Sequence, residues 1–319
     1  MLTLFSTPKP FRGHIGVIQR NALGSWKRLH PEVEVILIGE DEGTAEVCAE
    51  MGLRHEPEVL RSENGTKRLD WIFGKAQEKA RYETLCYVNC DIILTREFAE
   101  ALEKLKTWRK KFLMVGRRWD TDVTEPLDFT QRDWEEKITA LARAKGYQRF
   151  YHNIDYFAFR RGLYTKIPPL VIGRIYWDHW VVGKAHELGA AVVDVSDVVV
   201  AVHQNHDYGY HPNGMEGVWN DHEARRNGEL MRADTKPATI EDATYRLKTH
   251  GIEANRWYWM AAAKRRWRDV SRKVRGPLRT RVWHRLLDAT RPLRHAMGLK
   301  KDRMPSALRS NERRHWMDQ

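Results

Sequence analysis

The sequence predicts an α/β fold, a three-layer sandwich with a mainly parallel sheet, on two observations. Through the first half of the chain, short apolar and β-branched segments alternate with segments of helical periodicity. The strongest strand segment, residues 85–94, is apolar on both sides of its pleat, which is typical of a central strand covered by helices on both faces. Asn89 and Asp91 interrupt this segment near its end, where open α/β sheets bind ligands.

The first half is predicted to form repeated strand–helix units. The predicted strands are residues 2–5, 33–39, 54–59 and 85–94, and the predicted helices are residues 15–29, the segment from the acidic loop 40–43 to Met51, residues 68–81, and a helix beginning near Thr95. Gly52 is expected to end the second helix, because glycine adopts the left-handed conformation common at helix C-termini.

The second half loses this regular alternation. Its predicted strands are residues 112–116, 154–159, 191–195 and 198–202, its predicted helices are residues 133–145 and 181–188, and residues 121–130 are expected to form an irregular acidic loop. We expect one domain over residues 1–250, followed by a basic helical extension over residues 251–319.

Composition places the chain among globular proteins. Its 319 residues, 42% of them hydrophobic, suffice for one large or two ordinary domains. No apolar run approaches the roughly 20 residues that cross a bilayer, and the N-terminus lacks the features of a signal peptide. The three cysteines, Cys48, Cys86 and Cys90, indicate neither a disulfide framework nor a zinc knuckle, because their number is odd and two lie in a predicted buried strand. A cytoplasmic location is expected.

The net charge of +12 is concentrated at the C-terminus. Residues 256–319 hold 19 Lys and Arg against 5 Asp and Glu, a net charge of +14, whereas residues 1–255 hold 36 against 38, a net charge of −2. The basic character therefore belongs to an appendage, and the nearly neutral body weakens a nucleic-acid-binding interpretation of the whole chain.

Three segments carry a resemblance to a known family. They are Tyr-Val-Asn-Cys-Asp-Ile-Ile-Leu at residues 87–94, Gly-Arg-Arg-Trp-Asp at residues 116–120 and Trp-Asp-His-Trp at residues 177–180. Together with the order of strands and helices, they resemble family-2-like glycosyltransferases of the GT-A (Rossmann-type) fold over about residues 1–250. The resemblance implies transfer of a sugar from a nucleotide-sugar donor, assisted by Mn²⁺ or Mg²⁺.

The resemblance also implies a metal site at Asp91. GT-A enzymes carry an Asp-x-Asp motif at this strand end, whereas this chain has Asn-Cys-Asp, which leaves Asp91 as the direct ligand. GT-A folds often supply a later histidine, and His203 directly follows an apolar strand. The alternatives are that Asp91 only caps a turn and that His203, His206 and His211 belong to a polar loop without a ligand role.

Asp178 is the candidate catalytic base. In inverting GT-A enzymes, a carboxylate at the start of the corresponding helix deprotonates the acceptor hydroxyl, and Asp178 precedes the helix predicted at residues 181–188. Such a base needs hydrogen-bond reach and a suitable pKa. The alternative is that Asp178 caps the helix, since aspartate is among the best N-cap residues.

The remaining candidates are expected to contact donor or acceptor. The donor nucleotide is expected to bind at Phe5, Ser6, Thr7, Glu40, Lys67, Arg68, Asp70, Asn89 and Asp91. The acceptor or the donor sugar is expected to contact Trp119, Asp120, Asp155 and Trp177. Backbone N–H groups at a helix start and cationic side chains favour a diphosphate, although turn formation and solvation also explain several of these residues.

Residues 256–319 predict short basic amphipathic helices, in which Trp and apolar residues share faces surrounded by arginines. Such helices bind at the headgroups of anionic membranes, which would suit a lipid-linked or envelope glycan acceptor and a peripheral position on the inner face of the membrane. A nucleic-acid contact and packing on the body or on a partner are the alternatives.

Two other functions stay open. A sugar nucleotidyltransferase belongs to the same fold class, but it ordinarily carries a Gly-rich basic loop after the first strand, and residues 6–13 do not match that pattern. A nucleic-acid-binding protein that uses the basic tail is favoured by the pI of 9.6.

Overall fold

The computed structural model of the protein describes residues 1–207, 214–263 and residue 267. The strands are β1 (Thr3–Ser6), β2 (Glu34–Ile38), β3 (Arg54–Glu56), β4 (Thr84–Val88), β5 (Ile92–Ile93), β6 (Phe112–Val115), β7 (Arg118–Thr121), β8 (Tyr147–Gln148), β9 (Tyr156–Arg160), β10 (Ala191–Asp194), β11 (Ala201–Gln204), β12 (Tyr245–Lys248) and β13 (Gly251–Ala254). The helices are α1 (Gly13–Trp26), α2 (Thr44–Met51), α3 (Leu69–Lys79), α4 (Arg96–Trp108), α5 (Trp134–Lys145), α6 (Trp177–Glu187), α7 (Gly214–Asn220) and α8 (His222–Asp234), with a 3₁₀ turn at Ile240–Asp242.

A nine-stranded sheet forms the centre of the described chain, in the order β13-β12-β10-β6-β9-β4-β1-β2-β3. Neighbours in the block β3-β2-β1-β4 and in the block β6-β10-β12 are parallel. Only β9, between these blocks, and β13, at the edge, run antiparallel to their neighbours. The predicted mainly parallel sheet is confirmed.

Helices cover both faces of this sheet. One hydrophobic cluster packs α1, α2 and α4 against one face, through Trp26, Val47 and Phe98 among others. A second cluster packs α3 and α6 against the opposite face, through Phe73 and Trp180 among others. Because each fully buried large apolar side chain contributes about 1.5–3 kcal/mol, these two layers hold the three-layer sandwich together. The predicted three-layer arrangement is confirmed.

The segment predicted as one strand, residues 85–94, is two strands in two different sheets. β4 lies in the large sheet, whereas β5 pairs with β11 in a second sheet of order β5-β11-β7-β8. The chain turns between them because the N–H of Asn89 donates to the carbonyl of Asp155 at 2.9 Å and the N–H of Ile92 donates to the carbonyl of Asn89 at 3.1 Å. Asp91 therefore lies at the junction of the two sheets.

The small sheet was not predicted. α5 packs on it through Trp134, Ile138 and Ala142, which form a third hydrophobic cluster with β5 and β11. β7 takes the first residue of the predicted acidic loop, and β11 begins later than the predicted strand 198–202. β11 runs parallel to β7 and antiparallel to β5, so its side chains meet those of both neighbours.

Element ends bear on the site in two places. Gly52 follows α2 with φ 62°, so the predicted helix end is confirmed. α6 begins at Trp177, earlier than predicted, directly after Tyr176, whose φ is 82°. A non-glycine residue with positive φ is strained by about 1–3 kcal/mol, and such strain often accompanies functional sites.

The residues Met1–Trp259 form one compact unit. β13, just after the predicted end of the first domain, pairs with β12 at the edge of the large sheet. None of the described helices has the length and apolarity needed to cross a membrane. Most of the predicted basic extension lies outside the described residues.

Candidate active site

Asp91, His203 and His206 form a cluster whose potential ligand atoms all lie within 4.8 Å of one another. The Oδ2 atom of Asp91 is 3.1 Å from Nε2 of His206 and 3.9 Å from Nε2 of His203. Its other oxygen, Oδ1, is buried and accepts no hydrogen bond within the part of the chain that the structure describes. Because an unpaired buried carboxylate oxygen is costly, these three side chains fit a divalent cation.

Strand register brings this cluster together. In β11, His203 pairs with Ile92 of β5 on one side and with Asp120 of β7 on the other. Gln204, fully buried, donates to the carbonyl of Asp91 from its N–H and from Nε2, at 3.1 Å each. The backbone of Asp91 is therefore fixed against the strand that carries the histidine.

Three neighbouring side chains keep Asp91 ionised. Burial alone would raise its pKa, but the hydrogen bond with His206 and the charges of His203 and Lys9 hold the pKa of Asp91 well below its usual range. Asp91 is thus a permanent anion at the junction of the two sheets.

Asp120 lies behind His203. Its Oδ1 atom is 3.3 Å from Nδ1 of His203, and its Oδ2 atom is 2.7 Å from Nε of Arg149. Burial opposes ionisation, but the hydrogen bond with His203 and the charge of Arg118 lower the pKa of Asp120 to about 2. A carboxylate behind one ring nitrogen directs the other nitrogen toward a metal, so Asp120 supports the cluster without being part of it.

The buried Arg118 extends this network to the large sheet. Its guanidinium donates to Asp120 at 2.8 Å and to Asp155 at 2.7 Å. Asp155 also accepts from Nδ2 of Asn89 at 2.6 Å, and Oδ1 of Asn89 accepts from the Tyr87 hydroxyl at 3.0 Å. The Asn89 side chain is therefore engaged with its neighbours, and Asp91 alone of the Asn-Cys-Asp segment belongs to the cluster.

The cluster lies in a cavity of about 820 Å³. Other polar or aromatic side chains on its wall include Thr7, Lys9, Asp41, Arg61, Lys67, Asn89, Asp155, Arg174, Trp177 and Asp178. The volume is within the range of small-molecule and cofactor sites. Of the predicted site residues, the structure brings Thr7, Lys67, Asn89, Asp91, Asp155, Trp177, Asp178 and His203 to this one cavity.

Lys67 is a buried cation on the cavity wall. Its ammonium donates to the carbonyl of Pro8 at 2.6 Å and pairs with Asp41. Burial lowers the pKa of Lys67, and the charge of Asp41 opposes that effect. The lysine thereby fixes the loop that follows β1.

Asp178 lies in the first turn of α6, with 18% of its side chain exposed. The N-cap residue is Tyr176 and no side chain caps this helix, so the capping interpretation of Asp178 is wrong. Burial raises the pKa of Asp178, and nearby Asp155 raises it further, whereas His179 opposes the shift. A carboxylate with a raised pKa is suited to accept a proton.

Seven predicted contact residues do not line this cavity: Phe5, Ser6, Glu40, Arg68, Asp70, Trp119 and Asp120. Phe5 is fully buried among Phe73, Tyr87 and Phe159, with ring centroids 5.1, 5.6 and 6.3 Å away. Ser6 is also fully buried and accepts from the Cys90 thiol at 3.2 Å. Phe5 and Ser6 are adjacent in β1 and therefore point to opposite faces of the sheet, and both are buried because helices cover both faces.

Asp120 lies behind His203, and the other four are engaged elsewhere. Glu40 is exposed and pairs with Arg61 at 2.7 Å. Arg68 and Asp70 pair with each other at 2.5 Å. Trp119 lies on the opposite face of β7 from Asp120 and lines a separate cavity of about 240 Å³.

Sequence reasoning missed His206, Lys9 and Arg118. The His203-x-x-His206 spacing after a strand was a signal for the second histidine, although it was equally typical of a polar loop. Lys9 and Arg118 had no comparable signal, because their roles depend on contacts with His206 and Asp155, which are distant in sequence.

No family model and no curated protein matches the sequence. Among solved structures, S. aureus TarS 1–349 in complex with UDP-GlcNAc has 11% identity and a TM-score of 0.49, over 76% of this chain and 69% of that one. The mannosyltransferase PcManGT from Pyrobaculum calidifontis, in complex with GDP-Man and Mn²⁺, has 16% identity and a TM-score of 0.40, over 66% and 58%. Mycobacterium tuberculosis glucosyl-3-phosphoglycerate synthase, with Mg²⁺ and UDP, has 15% identity and a TM-score of 0.38, over 65% and 72%.

With identities of 16% or less and TM-scores below 0.5, these neighbours leave the activity of this chain to its own residues.

Proposed function

We propose that the protein is a glycosyltransferase that moves a sugar from a nucleotide-sugar donor to an acceptor hydroxyl, assisted by a divalent cation. The observation behind this proposal is that one cavity holds both the Asp91, His203 and His206 cluster and the largely buried carboxylate of Asp178. The cluster suits a cation bound to a diphosphate, and Asp178 suits a base for the acceptor. The resemblance of the sequence to GT-A enzymes supports the same function.

The donor atoms favour Mn²⁺ over Mg²⁺. One carboxylate oxygen suits either ion, but two imidazole nitrogens suit first-row transition metals, whereas Mg²⁺ prefers an all-oxygen shell. When bound, the cation would act as a Lewis acid that stabilises the charge developing on the leaving diphosphate by several kcal/mol.

The chain's own residues would then bind and activate the substrates. Lys67 and Arg61 supply positive charge on the cavity wall, where a diphosphate can accept charge-assisted hydrogen bonds. Asp178 would take the proton of the acceptor hydroxyl as that oxygen attacks the sugar carbon, which predicts inversion at that carbon. Burial favours this proton transfer, because it makes ionised Asp178 a stronger base.

A screen of nucleotide-sugars with and without Mn²⁺ tests the proposal. The expected result is release of a nucleoside diphosphate from one donor class, stimulated by Mn²⁺ and lost in Asp91→Asn. Release of pyrophosphate from a nucleoside triphosphate and a sugar phosphate would instead assign a nucleotidyltransferase. A folded protein that turns over no donor at any metal concentration would refute the transferase proposal.

We also propose that residues 256–319 bind an anionic membrane surface, at which a lipid-linked or envelope glycan acceptor would be presented. The net charge of +14 over these residues supports this proposal. So does the exposure of the described residues Trp257, Trp259 and Trp267, at 74%, 47% and 69%. Exposed tryptophans on a basic segment are typical of interfacial binding, and nucleic acid is the less favoured anionic partner.

A further inference from the structure

Lys9, in the loop between β1 and α1, has a fixed backbone. Its N–H donates to Oε1 of Gln19 at 2.7 Å, and Nε2 of Gln19 donates to its carbonyl at 2.9 Å. Gln19 is only 2% exposed, so both hydrogen bonds are protected from water. The preceding residue is fixed as well, because the Lys67 ammonium donates to the carbonyl of Pro8. These hydrogen bonds therefore fix the position of the backbone from which the Lys9 side chain extends.

The Lys9 side chain reaches the metal-binding cluster. Its Nζ atom is 3.4 Å from Nε2 of His206, and that same nitrogen is 3.1 Å from Oδ2 of Asp91. The charged and titratable groups that face the ammonium include Asp91, Cys90 and Asp207. A cationic side chain thus lies against the nitrogen that would bind the cation.

We propose that Lys9 and the divalent cation exchange at Asp91. In the nucleotide-free protein the Lys9 ammonium neutralises Asp91 beside His206, and when cation and nucleoside diphosphate bind together it moves onto a diphosphate oxygen. This inference rests on the proposed function, and it adds a residue that couples metal binding to donor binding.

Electrostatics favours such an exchange. Asp91 is the one carboxylate of the cluster, and a buried carboxylate needs a positive partner when no metal is present. Nε2 of His206 carries either a hydrogen, which it donates to Asp91, or a lone pair, which can bind a cation, and in the second case the adjacent ammonium opposes the bound cation. Two cations beside one carboxylate repel each other, and a diphosphate supplies the negative charge that accommodates both.

The geometry of lysine makes the movement feasible. Its ammonium is a compact point charge on a flexible four-carbon stem, so the head group can shift while the backbone stays held by Gln19. Methionine keeps a similar stem without charge, and arginine keeps the charge. These two substitutions separate charge from packing.

The test measures Mn²⁺ binding and UDP or GDP binding by calorimetry in wild type, Lys9→Met, Lys9→Arg and the surface control Lys137→Met. Lys137 is exposed on α5 and pairs with nearby side chains, Asp133 and Gln131. Without nucleotide, Lys9→Met is expected to bind Mn²⁺ about tenfold more tightly than wild type, since typical couplings between sites amount to about 5–150-fold. With saturating Mn²⁺, the same variant is expected to bind the nucleoside diphosphate about tenfold more weakly. Lys9→Arg and Lys137→Met are expected to resemble wild type in both measurements.

The opposite signs of these two changes identify the exchange, because a merely structural role would weaken both affinities. If Lys9→Met leaves both affinities unchanged or lowers both, while wild type binds Mn²⁺ and diphosphate, the exchange is refuted and the proposed function stands. If neither wild type nor Lys9→Met binds Mn²⁺, with or without nucleotide, the exchange and the metal-assisted function are both refuted.

Discussion

Asp91 and Asp178 are two largely buried carboxylates on the wall of one cavity, and their surroundings move their pKa values in opposite directions. Around Asp91, His206, His203 and Lys9 overcome burial and lower the pKa. Around Asp178, burial dominates and raises the pKa. The difference indicates two roles for one residue type: a permanent anion for a cation, and a proton acceptor for a substrate.

The local backbone explains why the two environments differ. Asp91 lies in the turn between two sheets, where strand register delivers His203 from β11. Asp178 lies in the first turn of α6, where the helix dipole favours an anion, yet burial and Asp155 outweigh that effect. The junction of the two sheets therefore surrounds Asp91 with groups that lower its pKa. Asp178, at the start of α6, lies near another carboxylate, Asp155, which raises its pKa.

The largest effect should follow from neutralising the permanent anion. Asp91→Asn is expected to reduce Mn²⁺-dependent donor turnover about a thousandfold, because the cation supplies several kcal/mol and each 1.36 kcal/mol is tenfold in rate. Donor turnover and thermal melting measure it together. Asp133→Asn, an exposed substitution on α5, is the control and should retain full activity. Wild-type turnover in a folded Asp91→Asn protein would reduce Asp91 to a turn residue.

Asp178→Asn should reduce kcat at least about a hundredfold while leaving nucleotide affinity unchanged, because a base acts only in the transition state. In the wild type, kcat should fall as pH drops through the raised pKa of Asp178, since protonation removes the base. The variant should lack this fall of kcat at low pH, the acidic limb of the pH profile. Kinetics across pH, with calorimetric nucleotide binding, measure both effects. Glu187→Gln, exposed on the same helix, is the matched control, and an acidic limb that persists in Asp178→Asn would assign the base elsewhere.

The alternation of strands and helices in the first half of the chain was predictable because periodicity and breaker residues are local signals, whereas α7, α8, β12 and β13 were not predicted. The division of residues 85–94 into β4 and β5 was not, because both halves are apolar and the turn depends on a hydrogen bond to Asp155, far along the chain. The small sheet was missed because two of its strands, β5 and β8, are only two residues long and leave no periodic signal.

The residues of the candidate site also differ in whether a local signal or a long-range contact places them. Asp91, Asp178 and His203 were predictable because each stands at the end of a strand or the start of a helix. His206 and Lys9 required the register of β11 and the path of the β1–α1 loop. At β1, the end of the strand decided the outcome: Thr7 lies beyond the last strand residue and reaches the cavity, whereas Phe5 lies within the strand and points into the aromatic core.

A smaller effect is expected at Asp120, which contacts the cluster around Asp91 through His203 and is not expected to affect Asp178. Asp120→Asn should weaken Mn²⁺ affinity about 10–100-fold, as is typical when a metal-bound histidine loses its carboxylate partner. The acidic limb that Asp178 produces should remain. Trp119→Phe, on the opposite face of β7, is the matched control and should change neither property. Equal Mn²⁺ affinity in Asp120→Asn and wild type would show that His203 needs no orientation by Asp120.

The raised pKa of Asp178 also predicts a modest effect on stability. The folded protein holds a proton on Asp178 at pH values where the unfolded chain has released it, so stability falls as pH rises from the ordinary carboxyl pKa through the raised one. Asp178→Asn removes this loss and should melt at a higher temperature than wild type at neutral pH, with the gain vanishing at acidic pH. Thermal melts across pH measure it, and a variant that is less stable at neutral pH would contradict the assigned direction of the pKa shift.

The smallest effect on donor turnover is expected from removing the basic tail, since both carboxylates belong to the compact unit that ends at Trp259. Truncation after Trp259 keeps the hydrogen bond from Nε1 of Trp259 to the carbonyl of Thr244, so the edge of the large sheet stays intact. Turnover of a soluble donor and the acidic limb from Asp178 should persist.

Binding to anionic liposomes should be lost, because each basic residue near such a surface contributes about 1 kcal/mol. Co-sedimentation of full-length and truncated protein over a salt series measures this binding, which should weaken as the Debye length falls from about 10 Å at 0.1 M to about 3 Å at 1 M salt. Full-length protein that stays in the supernatant at low salt would refute the membrane role, and a truncated protein that loses the acidic limb would show that Asp178 depends on more than the body around it.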